Sequence, residues 1–300
     1  MLVDEEKINN NYIALGSFDG LHKGHLELIK KVVSLADKSG GKSIIYTFKN
    51  HPKTIINPNF NPDLLMDNES KLEILKSYGV DEVFFQKFDE KFMEKSAEDF
   101  IKDLVKDFRI KGIVVGFNYK FGYKNLGNTE LLKSLSLKYD FDVHIIEPCM
   151  YKGEVISSTR IRKELLNGNV EDAAEMLTRP YFLYGEVSHG KQIGRTIGFP
   201  TANLEKLKIF LLPEEGVYYT HVLWNNNLYK AITSIGNNPT VNGEKVTIES
   251  HILSFNEKIY GDKIKVNFMK KIRNNVKFSS LEELKEQINR DKTFAEKEKL

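Results

Sequence analysis

Three stretches of the chain set chemically capable side chains at informative spacings. Gly16-Ser-Phe-Asp-Gly-Leu-His-Lys-Gly-His25 carries two histidines three residues apart among glycines, directly after a short apolar run. Where such a turn opens a helix, free backbone N–H groups and the positive helix end suit an anion such as a triphosphate. Gly16, Gly20 and Gly24 permit tight turns and close approach of backbone to ligand. His22 and His25 can then project together and donate hydrogen bonds to phosphate oxygens as charge develops on a leaving pyrophosphate. Taken alone, such a pair is more often two unrelated surface residues, and half of a zinc site is conceivable. No thiol lies nearby, however, and no third histidine or carboxylate stands at motif spacing.

The second stretch, Ile156-Ser-Ser-Thr-Arg-Ile-Arg162, puts hydroxyls where a helix begins, which is ordinary capping. Two arginines behind them turn the same arrangement into an anion site with fork-shaped donors. The third is Gly190-Lys-Gln-Ile-Gly-Arg-Thr-Ile-Gly-Phe-Pro-Thr-Ala-Asn203. Gly190, Gly194 and Gly198, interleaved with Lys191 and Arg195, make a basic loop able to wrap phosphates, although glycine spacing alone also describes a solvated hairpin. Thr201 and Asn203 add neutral oxygen ligands suited to a Mg2+ already shared with ATP. A relaxed P-loop pattern over Ala36–Ser43 is set aside, because it runs helix, loop, strand, the reverse of a working P-loop.

With those residues in view, the first stretch resembles the His-x-Gly-His signature of the nucleotidyltransferase superfamily. Its Gly-x-Phe-Asp-Gly prefix, which includes Phe18, resembles the bacterial FAD synthetase branch. The resemblance implies that Ser158, Thr159 and Arg162 grip nucleotide phosphates. It implies a place near the flavin phosphate for Asn118 in Val115-Gly-Phe-Asn-Tyr-Lys-Phe-Gly122. Thr47-Phe-Lys-Asn-His-Pro52 is similar to the family's Thr-Phe-x-x-His-Pro turn and carries His51 with it. The third stretch resembles riboflavin kinases, whose loop and Pro-Thr-Ala-Asn segment bind MgATP. Glu249-Ser-His-Ile-Leu253, Ser234-Ile-Gly-Asn-Asn-Pro-Thr240, Ile259-Tyr-Gly261 and Lys271-Ile-Arg273 continue that likeness, with Glu249 at the position of the catalytic base and Arg273 on the flavin side. One departure stands at the junction, where the family's Leu-Gly-Arg-Pro-Tyr has Thr178 in place of Gly; the expected effect is on a turn between domains and on neither chemistry.

The elements that must position these residues follow from periodicity. Tyr12–Phe18, Ser43–Phe48, Glu82–Phe85, Gly112–Gly116 and Asp142–Glu147 read as strands. Helical patterns fall between them at His25–Ala36, Glu69–Tyr78, Ser96–Phe108 and Thr129–Tyr139. Alternation of this kind predicts an α/β Rossmann-like domain with a parallel sheet, its ligands at the strands' carboxyl ends. After Pro180 come short strand candidates at Tyr181–Val187, Gly216–Trp224, Ala231–Ile235, Thr247–Leu253 and Lys263–Phe268, then a capped helix over Ser280–Arg290. That order predicts a small antiparallel β-barrel with a C-terminal helix. The expected division is 1–180, including a helical junction over Thr159–Leu177, and 181–300.

Bulk properties restrict the partners. The 300 residues carry 44 Lys plus Arg against 42 Asp plus Glu, so no global field draws the chain to nucleic acid or membrane. A single cysteine, Cys149, excludes a disulfide framework and favours a reducing compartment. The first residues lack a signal-peptide core, and no apolar run approaches a bilayer span. The expectation is a cytoplasmic bifunctional enzyme, monomeric or weakly self-associating. It phosphorylates riboflavin with ATP and Mg2+ to FMN, then adenylylates FMN with a second ATP to FAD. A nucleotidyltransferase for another phosphorylated acceptor and a flavin-binding regulatory protein are the competing readings.

Overall fold

The computed structural model describes residues 10–57, 60, 63–189, 198–206, 210–240 and 243–300. The chain divides into two compact units, Met1–Ser158 and Thr159–Leu300.

The first unit is built on five parallel strands. These are β1 (Asn11–Leu15), β2 (Ser43–Phe48), β3 (Glu82–Gln86), β4 (Ile110–Gly116) and β5 (Asp142–Ile146), in the order β3-β2-β1-β4-β5. The helices are α1 (Lys23–Ser39), α2 (Lys53–Ile56), α3 (Asn68–Ser77), α4 (Glu90–Met93), α5 (Ala97–Phe108) and α6 (Thr129–Tyr139). A small hairpin, β6 (Met150–Tyr151) and β7 (Glu154–Val155), closes the unit. Parallel strands covered on both faces need continuous apolar runs, and β1 supplies one, with Tyr12 to Leu15 all buried. Ile13, Leu15, Ile44, Ile113 and Val115 pack with Phe100, Ile101 and Leu104 of α5 and with Leu132 and Leu135 of α6. Leu26, Ile29 and Val32 line the buried side of α1, which packs on β1, β2 and β4. Each such side chain contributes about 1.5–3 kcal/mol by leaving water. Ser96 caps α5 as its spacing predicts, its hydroxyl oxygen accepting from the Asp99 N–H at 3.0 Å. The segment that mimics a P-loop is the stop of α1: Gly40 is left-handed at φ 66°, and any Cβ on Gly41 would fall 1.9 Å from the Asn10 carbonyl oxygen.

In the second unit, α7 (Ser158–Leu166), which begins on the last residue of the first unit, and α8 (Val170–Leu177) precede a closed antiparallel barrel. Its strands are β8 (Tyr181–Ser188), β9 (Ala202–Lys206), β10 (Gly216–Trp224), β11 (Asn227–Thr240), β12 (Gly243–Ile252) and β13 (Lys263–Arg273), closing in the order β10-β11-β12-β9-β8-β13. Tyr218 and Phe268 are wholly buried and meet edge to face at 5.3 Å. The buried hydroxyls of Thr220, Thr233 and Ser250 link at 2.7 and 2.8 Å across three strands, so none is left without a partner. Helix α9 (Leu281–Lys297), capped by Ser280, lays Phe294 and Ala295 against Val217, Tyr219, Ile232 and Leu253. In the first unit the short α2, α4, β6 and β7 went unread by periodicity, and in this unit the element it did not identify is strand β9. Five residues with turn-like neighbours carry too little alternation to be read, yet without them the barrel would not close.

Candidate active sites

In the strand order β3-β2-β1-β4-β5 the chain winds one way from β1 and the other way from β4, and ligands favour the carboxyl ends at that reversal. The histidine stretch emerges there. Gly16 N–H bonds to the Tyr46 carbonyl at 3.2 Å, and the chain then turns through Phe18 at φ 48°, Gly20 at φ 78° and Leu21 at φ 44°. Left-handed backbone is unfavourable for Phe and Leu, and the wholly buried side chains of both hold it in place. The Ser17 carbonyl accepts from Thr47 Oγ1 at 2.9 Å and from Lys71 Nζ at 3.0 Å. Asp19 Oδ1 accepts from the Leu65 N–H at 3.2 Å, and the Asp19 carbonyl accepts from Ser158 Oγ at 2.9 Å.

His22 is the N-cap of α1, its Nδ1 facing the His25 N–H at 3.4 Å. The two imidazoles stack at 3.6 Å, and Phe18 meets His25 edge-on at 5.2 Å. A Cβ on Gly24 would lie 3.2 Å from the His22 ring, and one on Gly16 3.2 Å from the Phe18 ring, so both glycines make room for rings of the same turn. The first turn of α1 has no acidic residue of its own, which suits a helix end that is to meet an anion.

The same edge of the sheet carries Asn118 and His51 of this unit. Asn118 is exposed two residues beyond β4. His51, half-buried beyond β2, accepts from the Lys53 N–H at 3.2 Å through Nδ1 and lies 5.2 Å from the Phe60 ring. Ser158 is tied to the histidine turn by its bond to Asp19. Thr159 and Arg162 follow on α7, with Arg162 one turn beyond Ser158 on the same helix face and no acid in the first turn.

The second constellation lies on the barrel. Asn203 of β9 pairs with Glu249 of β12 on one side and with Ser188 of β8 on the other. Thr201 Oγ1 approaches Glu249 Oε2 at 3.4 Å. Thr201, Asn203 and Glu249, distant in sequence, are therefore neighbours. The donors are all oxygens, two of them neutral and one on a carboxylate, a set that fits a hard divalent cation. Gly198 is left-handed at φ 89° with open space around its Cβ position. Gly190, Lys191, Gly194 and Arg195 lie outside the described residues.

Arg273 sits elsewhere. Its Nε reaches both carboxylate oxygens of Asp291 on α9, at 3.1 and 3.0 Å, and its Nη2 reaches Oδ2 at 2.8 Å. Asp291 is 3% exposed and also accepts from Gln287 at 2.8 Å. The guanidinium thus anchors the C-terminal helix, and no hydrogen bond among the described residues joins it to the Thr201–Glu249 group.

Sequence reasoning gave no role to two residues that the geometry singles out. His251, on the same face of β12 as Glu249, bonds through Nδ1 to the Pro200 carbonyl at 2.9 Å, so it holds the chain one residue before Thr201. Burial pushes its imidazole below the ordinary range, against the opposing effect of that bond. Lys71, the buried donor to Ser17, was invisible because a lysine in a helix reads as a solvated one; its one signal is its place one turn before buried Leu75.

Comparison with known proteins matches the two halves of the chain to two different families. A FAD synthetase family model matches residues 4–160, and a riboflavin kinase model matches residues 177–298. A bifunctional riboflavin kinase/FMN adenylyltransferase of Buchnera aphidicola subsp. Schizaphis graminum is 37% identical over 95% of this chain and 93% of its own. The Bacillus subtilis protein of the same name is 34% identical over 98% and 94%. A solved structure from Streptococcus pneumoniae, described as a macrolide-efflux protein, superimposes with a TM-score of 0.90 at 35% identity, covering 97% of this chain and 95% of that one. Among the described residues, no helix of this chain is long and apolar enough to cross a membrane.

Proposed function

The chain belongs to the bifunctional riboflavin kinase/FMN adenylyltransferase family, and from that premise we propose how its own residues divide the two reactions. The enzyme phosphorylates riboflavin with ATP and adenylylates the resulting FMN to FAD. One observation carries the division of labour. A carboxylate stands beside Thr201 and Asn203 on the barrel, whereas the turn after β1 offers stacked imidazoles at a helix end with no acid in its first turn.

A ribityl hydroxyl ionises far above neutrality, so its attack on the γ-phosphorus needs a base. Glu249 takes that proton as the new P–O bond forms and ADP departs. Thr201 and Asn203 are the residues that would hold Mg2+, whose chemistry there is to neutralise the phosphate charge of ATP. Lys191, Arg195 and the glycines at 190, 194 and 198 are assigned to wrapping those phosphates.

The FMN phosphate is already ionised. Its oxygen attacks the α-phosphorus of a second ATP, and pyrophosphate leaves; alignment and charge neutralisation suffice. His22, His25 and Arg162 donate to the departing group, while Gly16, Phe18, Gly24, Ser158 and Thr159 line the nucleotide phosphates. Asn118, His51 and Arg273 are the flavin-side assignments, the last acting from a guanidinium anchored on α9. We assign adenylyl transfer to residues 1–180 and phosphorylation to 181–300, in a cytoplasmic protein that is a monomer or weak homo-oligomer and binds neither nucleic acid nor membrane.

The test is flavin chromatography after incubation with MgATP and either riboflavin or FMN. Asn203→Ala is expected to block FMN formation yet still convert supplied FMN to FAD. Loss of both conversions in that variant would overturn the division.

A further inference from the structure

A charged amine seldom lies buried without a purpose, and Lys71 is 5% exposed. It sits in the first turn of α3, and its Nζ donates to the Ser17 carbonyl at 3.0 Å. The same carbonyl accepts from the wholly buried Thr47 hydroxyl at 2.9 Å. The carboxylates facing Lys71 are Asp19, in the turn itself, and Asp67, the N-cap of α3. Burial lowers the ammonium to about 8 in spite of those two carboxylates, so the site holds the charge against a desolvation cost.

The consequence lies in the next peptide group. A trans peptide points its carbonyl and its N–H in opposite directions, and among the described residues no peptide bond is cis. Two inward donors on the Ser17 oxygen therefore turn the Phe18 N–H away from the Lys71–Thr47 pair. They also fix the start of the left-handed segment at Phe18, φ 48°, which leads into the cap of α1. We propose that Lys71 is a positioning residue for adenylyl transfer: with Thr47 it locks the Ser17 carbonyl and so holds the turn before His22 in the shape that receives the nucleotide phosphates. This deepens the assignment of residues 16–25 to ATP and rests on it.

Steady-state kinetics of FAD formation from FMN, in the full-length chain, test the idea with riboflavin phosphorylation as an internal control. Lys71→Met is expected to raise KM for ATP about tenfold, the scale of one lost charged hydrogen bond, with KM for FMN and kinase turnover unchanged. Lys71→Arg, which keeps the cation, is expected to recover part of that loss. Thr47→Val is expected to raise KM for ATP in the same selective way, and the double variant to show less than the product of the two effects, because both act through one oxygen. A purely structural lysine predicts another pattern: fewer active molecules, lower kcat and both KM values unaltered. That pattern, or unchanged ATP kinetics in Thr47→Val should Lys71→Met fail to fold, overturns the proposal. His25→Ala run alongside separates the two levels. If it retains FAD formation, the site assignment itself fails; if it is inactive while Lys71→Met matches wild type, only the lysine's role fails.

Discussion

A hydroxyl nucleophile and a phosphate nucleophile ask different things of a protein, and the difference is visible side chain by side chain. Glu249 lies within 3.4 Å of Thr201, while His22 and His25 stack at 3.6 Å at a helix end. Glu249→Ala is expected to slow FMN formation by about 10²–10⁴-fold, the range for a lost general base, with FAD formation from supplied FMN unchanged. His25→Ala is expected to do the converse, losing about 10²-fold or more in FAD formation while sparing the kinase. Stopped assays with chromatographic separation of riboflavin, FMN and FAD check both. These residues were legible in the sequence because their types sit in long, specific strings. Lys71 and His251 were not, because their significance comes from which backbone carbonyl each reaches, and that is set by tertiary packing.

At the scale of elements, most boundaries followed from periodicity and caps. Strand Ser43–Phe48 and helix Thr129–Tyr139 fall where their patterns end, and Ser96 and Ser280 cap the helices they precede. Others depended on context: β9 and the short α2, α4, β6 and β7, too brief to show a period, and the strands β11 and β12, whose pairing runs beyond the apolar residues that announced them. Thr178 is the C-cap of α8 at φ 61°, a conformation that suits glycine and crowds a β-branched side chain. Thr178→Gly relieves about 1–2 kcal/mol of strain and loses part of it to the freer unfolded chain. The net expectation is a gain of about 0.5–1 kcal/mol, read as a rise of roughly 1–3 °C in the thermal midpoint of the second unit, with both activities unchanged. The barrel also carries an acid sensitivity. Burial holds His221 and His251 below the ordinary imidazole value, against bonds to the Lys299 and Pro200 carbonyls and assisted by Lys230 and Lys292. The unfolded chain takes up those protons first, so stability is present above about pH 6.5 and declines as pH falls below it. Calorimetry from about pH 7 to 5 is expected to show the second unit's midpoint falling, and His221→Gln with His251→Gln to flatten that slope.

For the molecule as a whole, the proposed assignment puts two independent sets of residues, on two differently built units, on one route from riboflavin to FAD. The fold class of each unit was legible because a parallel sheet and an antiparallel barrel impose different rhythms on a sequence. Contact between Thr201 and Glu249 was not, since it requires β9 and β12 to lie side by side. Under these assignments each unit works when the other is disabled, and FMN is the only species they must share. Mixing full-length His25→Ala with full-length Glu249→Ala, then adding riboflavin and MgATP, tests this most directly. Neither protein alone is expected to make FAD from riboflavin, and the mixture is, by way of FMN released from the first. A mixture that accumulates no FAD, or a Glu249→Ala protein that fails to convert ample supplied FMN, would contradict these assignments.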